Sequence, residues 1–213
     1  MSTARTQESF FFRALQPGDR EQRARMLEAV TRAVAAKGFA RVTVSDVVGL
    51  AGVSRRTFYE EFTDKEDCFL AAFAAGGEVV RAEVERAIAE VTDGDWRTFL
   101  RVSLEAYLNA LATEPEFART LKIDVLGTGP EAIEVGQQVR DRFVGRLRDL
   151  NSLASAQDPR IGRVPTLVLR ALVGGIAELV EWHILREGAE SLGDLAPQIV
   201  DLATAVIEDA GVR

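Results

Sequence analysis

The sequence predicts an all-α protein of about nine helices, and three observations carry that reading. Apolar residues recur at three- and four-residue spacing along most of the chain, the period of a helix that buries one face. Serine, threonine and aspartate stand ahead of several of these runs, with glycine or proline between them, which is how helices start and stop. No alternating apolar–polar stretch of useful length occurs, so strands are not expected. With 47% hydrophobic residues the chain can bury a sizeable core, and 213 residues allow one large domain or two small ones.

Residues 1 to 18 read as a tail closed by Pro17-Gly18, whose Phe10-Phe11-Phe12 cluster should pack on the first helix or on a partner subunit. The first helix should run from Asp19 to Lys37, burying Met26, Leu27, Val30, Ala33 and Val34. Thr43 to Phe62, TVSDVVGLAGVSRRTFYEEF, then reads as two short helices and a tight turn. Thr43 and Asp46 make a capping-box pattern, and Val44, Val47 and Val48 follow at helical spacing. Gly52 can take the left-handed conformation that ends a helix. Ser54 can cap the second helix, which carries Arg55, Arg56, Thr57 and Tyr59 as donors and Phe58 and Phe62 as anchors. Two helices joined by a short glycine-containing turn form the helix-turn-helix, which places its second helix in a DNA major groove. A plain αα corner would give the same spacing.

The surrounding residues favour the DNA-binding reading. MLEAVTRAVAAKGFARVTVSDVV followed by AGVSRRTFYEEFTDKED resembles the DNA-binding domain of the TetR family of bacterial transcriptional regulators, over residues 20 to 75. Gly38, Thr43-Val44, Ala51-Gly52-Val53-Ser54, Thr57-Phe58-Tyr59, Phe62 and Lys65-Glu66 carry the resemblance. Val48 stands where the family usually has alanine and Arg56 where it often has glycine, so no relative's operator sequence can be borrowed. The resemblance implies a homodimeric repressor with a DNA-binding domain over residues 19 to 65 and a ligand-binding and dimerisation domain over 66 to 213. It also implies a palindromic DNA operator, and small-molecule effectors held in the helical body.

Charge agrees with that division. The net charge is −7, yet residues 1 to 65 carry 11 Lys/Arg and 8 Asp/Glu, leaving +3, while the remainder carry 15 and 25, leaving −10. A basic end on an acidic body confines contact with nucleic acid to that end.

Beyond the helix-turn-helix, Thr63 and Glu66 are expected to form another capping box and open a long fourth helix to about Val91. Gly76-Gly77 inside it costs about 1 kcal/mol per glycine relative to alanine, which suits a kink or a close helix contact. A fifth helix should span Trp96 to Thr113, a sixth should run from Pro115 to near Gly127-Thr128-Gly129, and a seventh from Pro130 to about Leu153. After a loop over residues 154 to 163, an eighth helix is expected over Pro165 to Arg186 and a ninth over Ser191 to Asp209. The eighth is apolar nearly all round, so most of its faces should be covered, and Gly174-Gly175 permits close helix approach. The ninth has a stripe of Leu195, Ile199, Leu202, Ala205 and Val206. The family resemblance implies that these two helices, about residues 164–186 and 191–209, pair with their two-fold mates.

Arg55 and Arg56 are the candidate base readers, because an arginine fork can bond guanine O6 and N7 together; pairing with phosphate or with Glu60 is the alternative. Thr57 and Tyr59 offer hydroxyls suited to phosphates, the role the resemblance implies for Tyr59. Thr43, Ser54 and Lys65 stand at helix N-termini, where backbone N–H groups favour a phosphate, although Ser54 could serve purely as a cap.

In the body, Phe99, Ser103, Tyr107, Phe117, Phe143 and Trp182 are the candidate lining of an apolar effector pocket, with Gln137 and Asp124 as further polar groups. Arg101, Glu105, Asp124, Arg140, Glu178 and Glu181 fall on several faces, which leaves the effector's charge open. No basic cluster suggests a phosphorylated effector, so an uncharged or amphipathic molecule is expected.

No nucleophile elbow, phosphate-binding glycine loop or metal-ligand spacing occurs, so no catalytic residue, metal site or cofactor is expected. His183, the single histidine, reads as an ordinary helix residue, and Cys68, the single cysteine, as a buried inert thiol. One cysteine, no visible signal peptide and no run of about 20 apolar residues predict a cytoplasmic protein without a membrane span. The alternative is an all-helical ligand-binding or interaction protein with a non-functional helix-turn-helix, marked by an acidic surface over Arg55, Arg56 and Tyr59.

Overall fold

The computed structural model describes residues 20–122 and 130–210. Within them lie nine α-helices: α1 (Arg20–Lys37), α2 (Val44–Ala51), α3 (Arg55–Glu61), α4 (Lys65–Ala89), α5 (Trp96–Ala112), α6 (Pro115–Lys122), α7 (Pro130–Gln157), α8 (Thr166–Arg186) and α9 (Ala196–Asp209). Short 3-10 turns precede α2 (Phe39–Arg41) and α9 (Leu192–Leu195), so the first turn of the expected ninth helix is wound more tightly than the rest. The Phe10–Phe12 cluster, Asp124 and the Gly127–Gly129 stop fall outside the described residues.

The first three helices close where local chemistry says they should. Thr43 and Asp46 exchange both bonds of the capping box, and Gly52 takes the left-handed conformation at φ 64° and ends α2. Ser54 accepts from the Thr57 N–H to start α3. The first helix buries Met26, Leu27, Val30, Ala33 and Val34 as its pattern demands, against Val47, Phe58, Phe62, Cys68 and Phe69 in the same core. Burial raises the Cys68 thiol far above its ordinary value, which keeps it an unreactive thiol.

Two boundaries differ from expectation. The cap of α4 is Asp64, whose carboxylate accepts from the Glu66 and Asp67 N–H groups, while Thr63 donates instead to Asp67. No Thr63–Glu66 box forms, because a residue one position nearer the helix reaches two orphan donors at once. At its far end α7 continues one turn past Leu153, into the stretch expected to be loop. Ala154 is buried there, and Gln157 Oε1 accepts from the Trp96 N–H at 2.8 Å, so tertiary contacts hold the extra turn.

The longest consequence of Gly76 is a close contact. The buried Phe117 ring of α6 lies directly on it, so α6 is seated against α4. The same short helix packs on α1, which makes α6 a strut between the N-terminal bundle and the body. Asn151 fixes the approach to α8: its side-chain amide donates to the Gly162 carbonyl and its Oδ1 accepts from Val164 N–H. His183 is buried with Nε2 2.8 Å from Ser191 Oγ, joining α8 to the turn before α9.

Candidate functional site

The chain carries two features with functional geometry, one at each end of α4. At the first, Phe58 and Phe62 are buried and pin α3 to the bundle, which leaves Arg55, Arg56 and Tyr59 on the outer face. The Arg56 side chain is 89% exposed and Tyr59 is 56% exposed. Arg56 Nε donates to Glu60 at 2.9 Å one turn on, and Arg55 has no ion pair among the described residues. An exposed pair such as Arg56–Glu60 contributes only about 0.3–0.5 kcal/mol, so a nucleic-acid acceptor can replace it. The other acid at the end of α3, Glu61, is held by Arg23 of α1 at 2.8 Å, while the Arg23 guanidinium covers the Phe62 ring. The acidic cover that would have marked a non-functional motif is not there among the described residues: donors face outward.

The remaining candidates in this region are arranged as follows. Thr43 is exposed, and its hydroxyl donates to Asp46 Oδ2 at 2.6 Å. Lys37 pairs with the same carboxylate at 2.7 Å, and with Thr43 it holds the Asp46 carboxyl down at about 2, against an ordinary 3.8. The Ser54 and Thr57 hydroxyls lie 2.9 Å apart and satisfy each other. Lys65 is the first residue of α4, at the helix N-terminus where it was expected. Its ammonium donates to the Phe39 and Val42 carbonyls at 3.0 and 2.9 Å and sits over the Phe39 ring. Its side chain therefore holds the turn before α2.

Sequence reasoning passed over Arg41, exposed beside Thr43, and Arg25, whose guanidinium lies 3.9 Å from where a side chain on Gly52 would begin and whose Nε is buried without a partner. Both are visible as cations flanking the helix-turn-helix.

The second feature is a cavity in the body, between α4, α5, α7 and α8 with the end of α6 at its mouth. It has two lobes, of about 80 and 200 Å³, which share Tyr107, Lys122, Val139, Arg140 and Phe143. The Tyr107 and Phe143 rings meet edge to face at 5.5 Å on that shared wall.

Three of the six expected lining residues, Ser103, Tyr107 and Phe143, border the cavity. Ser103 spends its hydroxyl on the Phe99 carbonyl one turn back. Phe99 packs into the core beside it, and Phe117 is committed to Gly76. Trp182 is 48% exposed on the outer face of α8 under the Arg186 guanidinium, so it does not border either lobe. Gln137 is exposed on α7.

What the sequence reading missed is charge at the cavity. Lys122 and Arg140 border both lobes, Arg146 one and Glu181 the other. The signal was present in α7: Val139, Arg140, Phe143, Arg146, Leu147 and Leu150 fall on one helical face, with two cations among the apolar positions. Among the described residues no group of three His, Cys, Asp or Glu side chains could hold a metal ion, and no helix is long and apolar enough to cross a membrane.

The family profile described as "Bacterial regulatory proteins, tetR family" matches residues 26–72, from α1 through the helix-turn-helix into α4. The HTH-type transcriptional regulator TtgR of Pseudomonas putida is 27% identical over 187 residues, covering 82% of this chain and 86% of that protein. The HTH-type transcriptional regulator EthR of Mycolicibacterium smegmatis is 24% identical over 157 residues, with 74% and 71% covered. Among solved structures, the fatty acid degradation regulator FadR of Bacillus halodurans superposes with a TM-score of 0.77 at 18% identity, over 89% of this chain and 96% of that one. FadR of Bacillus subtilis, solved in complex with stearoyl-CoA, gives 0.74 at 18% identity, over 86% and 98%.

Proposed function

We infer that this chain is a homodimeric repressor of the TetR family of bacterial transcriptional regulators, one that leaves a palindromic operator when a small apolar or amphipathic molecule fills the body cavity. The observation that carries this reading is the join between the two sites. One continuous helix, α4, begins beside the helix-turn-helix at Lys65 and forms cavity wall at Gly77, Val80 and Val84. A molecule that favours one spacing of α4 against α5 and α7 therefore favours one placement of α3. It can shift that balance only by binding one placement more tightly than the other.

On the DNA, Arg55 and Arg56 are the base readers, each bidentate guanine contact being worth about 1–3 kcal/mol of discrimination. Thr57 and Tyr59 face phosphates, with Thr43, Ser54 and Lys65 contributing at helix N-termini.

Dimerisation through α8 and α9 explains a face that one chain leaves bare. Leu167 (78% exposed), Leu179, Trp182, Leu185 and Leu202 stand outward, and a side chain added at Gly174 or Gly175 would meet nothing within 4 Å among the described residues. The eighth helix is thus covered on one side by its own subunit and needs a second subunit for the other. Two copies also present two recognition helices to the two half-sites of a palindrome.

This places the protein in the cytoplasm with its DNA. Stearoyl-CoA, the amphipath in the Bacillus subtilis relative, supports the class of effector. The test is a DNA-binding titration with and without ligand. Ligand should weaken operator binding, and operator should weaken ligand binding by the same factor. Ligand binding that leaves DNA affinity unchanged overturns the repressor-release reading.

A further inference from the structure

Two cations border an apolar cavity without an ion-pair partner among the described residues. Lys122 and Arg140 border both lobes, and neither has a carboxylate within 4.0 Å among the described residues. Around them stand Tyr107, Val139 and Phe143, with the Lys122 ammonium 5.8 Å from the Tyr107 ring. Arg140 folds back along α7, its guanidinium 3.5 Å from where a side chain on Gly136 would begin. Lys122 is half-buried and Arg140 exposed, and the apolar side chains beside them screen charge less than water does on that side.

One carboxylate opposes them. Glu181 of α8 borders the second lobe, too far from either cation to form an ion pair. Burial pushes its carboxyl above the ordinary value, Lys122 and Arg140 pull it back, and Glu178 adds to the rise. Glu181 is an imperfect partner: it offsets the cations from a distance while losing its own hydration. The third cation, Arg146, already has Glu85 at 3.7 Å. Two unengaged cations and one carboxylate leave a single positive charge at the junction of the lobes.

We propose that the effector is an apolar organic acid whose single carboxylate sits between Lys122 and Arg140, opposite Glu181, with its hydrocarbon body in the lobes beside Phe143. The proposal rests on the effector-cavity reading above and adds the charge and seat of the ligand. A neutral molecule of the same shape fills the apolar space but leaves the cations uncompensated. A polyanionic head brings more negative charge than the seat can match, with Glu181 repelling the excess. Glu181 acts as a specificity residue that holds down affinity for acids.

Calorimetric titration of the full-length protein with decanoate, decan-1-ol and decanoyl-CoA tests this. Decanoate should bind about tenfold more tightly than decanol, a difference on the scale of one charge-assisted contact. The double variant Lys122→Met, Arg140→Gln should erase that preference while leaving decanol affinity within about twofold, which also shows that the variant is folded. Glu181→Gln should strengthen decanoate binding severalfold and leave decanol unmoved. Equal binding of acid and alcohol by the unaltered protein, or a preference that survives the double variant, overturns the proposal while the cavity reading stands. Decanoyl-CoA binding tenfold more tightly than decanoate overturns the monoanion. Failure of all three compounds to bind overturns the proposal and removes support from the cavity reading with it.

Discussion

Gly76→Ala tests the packing that joins the two halves of the chain. A β-carbon at Gly76 would lie within 2.8 Å of three atoms of the Phe117 ring, Cζ, Cε1 and Cε2. The ring is buried, so accommodating the methyl displaces it or parts the two helices. Overpacking of this kind costs about 1–3 kcal/mol, and alanine's better helix propensity returns about 1 kcal/mol. The crowding is severe enough to place the first figure at its upper end, for a net loss of about 1–2 kcal/mol. In a protein of this size that lowers Tm by roughly 2–8 °C. The assay is urea and thermal unfolding at one fixed protein concentration, since a dimer's stability depends on it. Two controls sharpen the result. Gly77→Ala, next along the same helix, meets Val139 only at 3.4 Å and should be neutral or stabilising. Combining Gly76→Ala with Phe117→Leu should cost less than the two single losses added together, because the smaller side chain vacates the contested space. A Gly76→Ala protein as stable as the parent, or strict additivity in the pair, would refute the argument.

The remaining predictions concern the helix-turn-helix and the dimer. Arg55→Ala with Arg56→Ala should abolish sequence-selective DNA binding while leaving thermal unfolding nearly unchanged, since both side chains are exposed and surface changes typically stay within about 0.5 kcal/mol. Ser54→Ala should cost about 1 kcal/mol by urea denaturation through loss of the α3 cap, and weaken DNA binding with it. Asp46 has a folded carboxyl value near 2 against an ordinary 3.8, so its contribution is complete above about pH 4 and is lost as pH falls through 2. NMR titration of that carboxyl should find the low value, and Lys37→Met should raise it; an unshifted Asp46 contradicts the Lys37–Thr43 arrangement. Gly175→Glu should favour monomers in analytical ultracentrifugation, and a variant that stays fully dimeric would place the interface elsewhere.

How far the sequence revealed this protein depends on the range of the interactions concerned. The helix-turn-helix was legible because its determinants act within four residues: Thr43 with Asp46, Gly52 at positive φ, Ser54 with the Thr57 N–H. The burial of Met26, Val30 and Phe58 followed from helical period alone. The fourth helix was capped one residue away from expectation because Asp64 and Thr63 are both capable acceptors, and only the backbone path decides which one faces the helix. The cavity was partly legible. Aromatic residues on amphipathic helices supplied the right material, but nothing local says which face Trp182 takes, or that Phe117 is held by a glycine on another helix. Lys65 shows the same limit, since its carbonyl partners lie more than twenty residues back in the chain. Lys122 and Arg140 come from α6 and α7, and Glu181 from α8, so their meeting is a property of tertiary structure.

The exposed donors of α3 should read a two-fold symmetric DNA sequence. Selection of binding sequences from a random double-stranded pool by the purified protein tests it most directly, run in parallel with the Arg55→Ala, Arg56→Ala variant. The unaltered protein should enrich a palindrome whose half-sites lie about one helical turn, or a multiple of it, apart. The variant should enrich none. A pool that stays unenriched with the unaltered protein, or the same palindrome recovered by the variant, would contradict the claim.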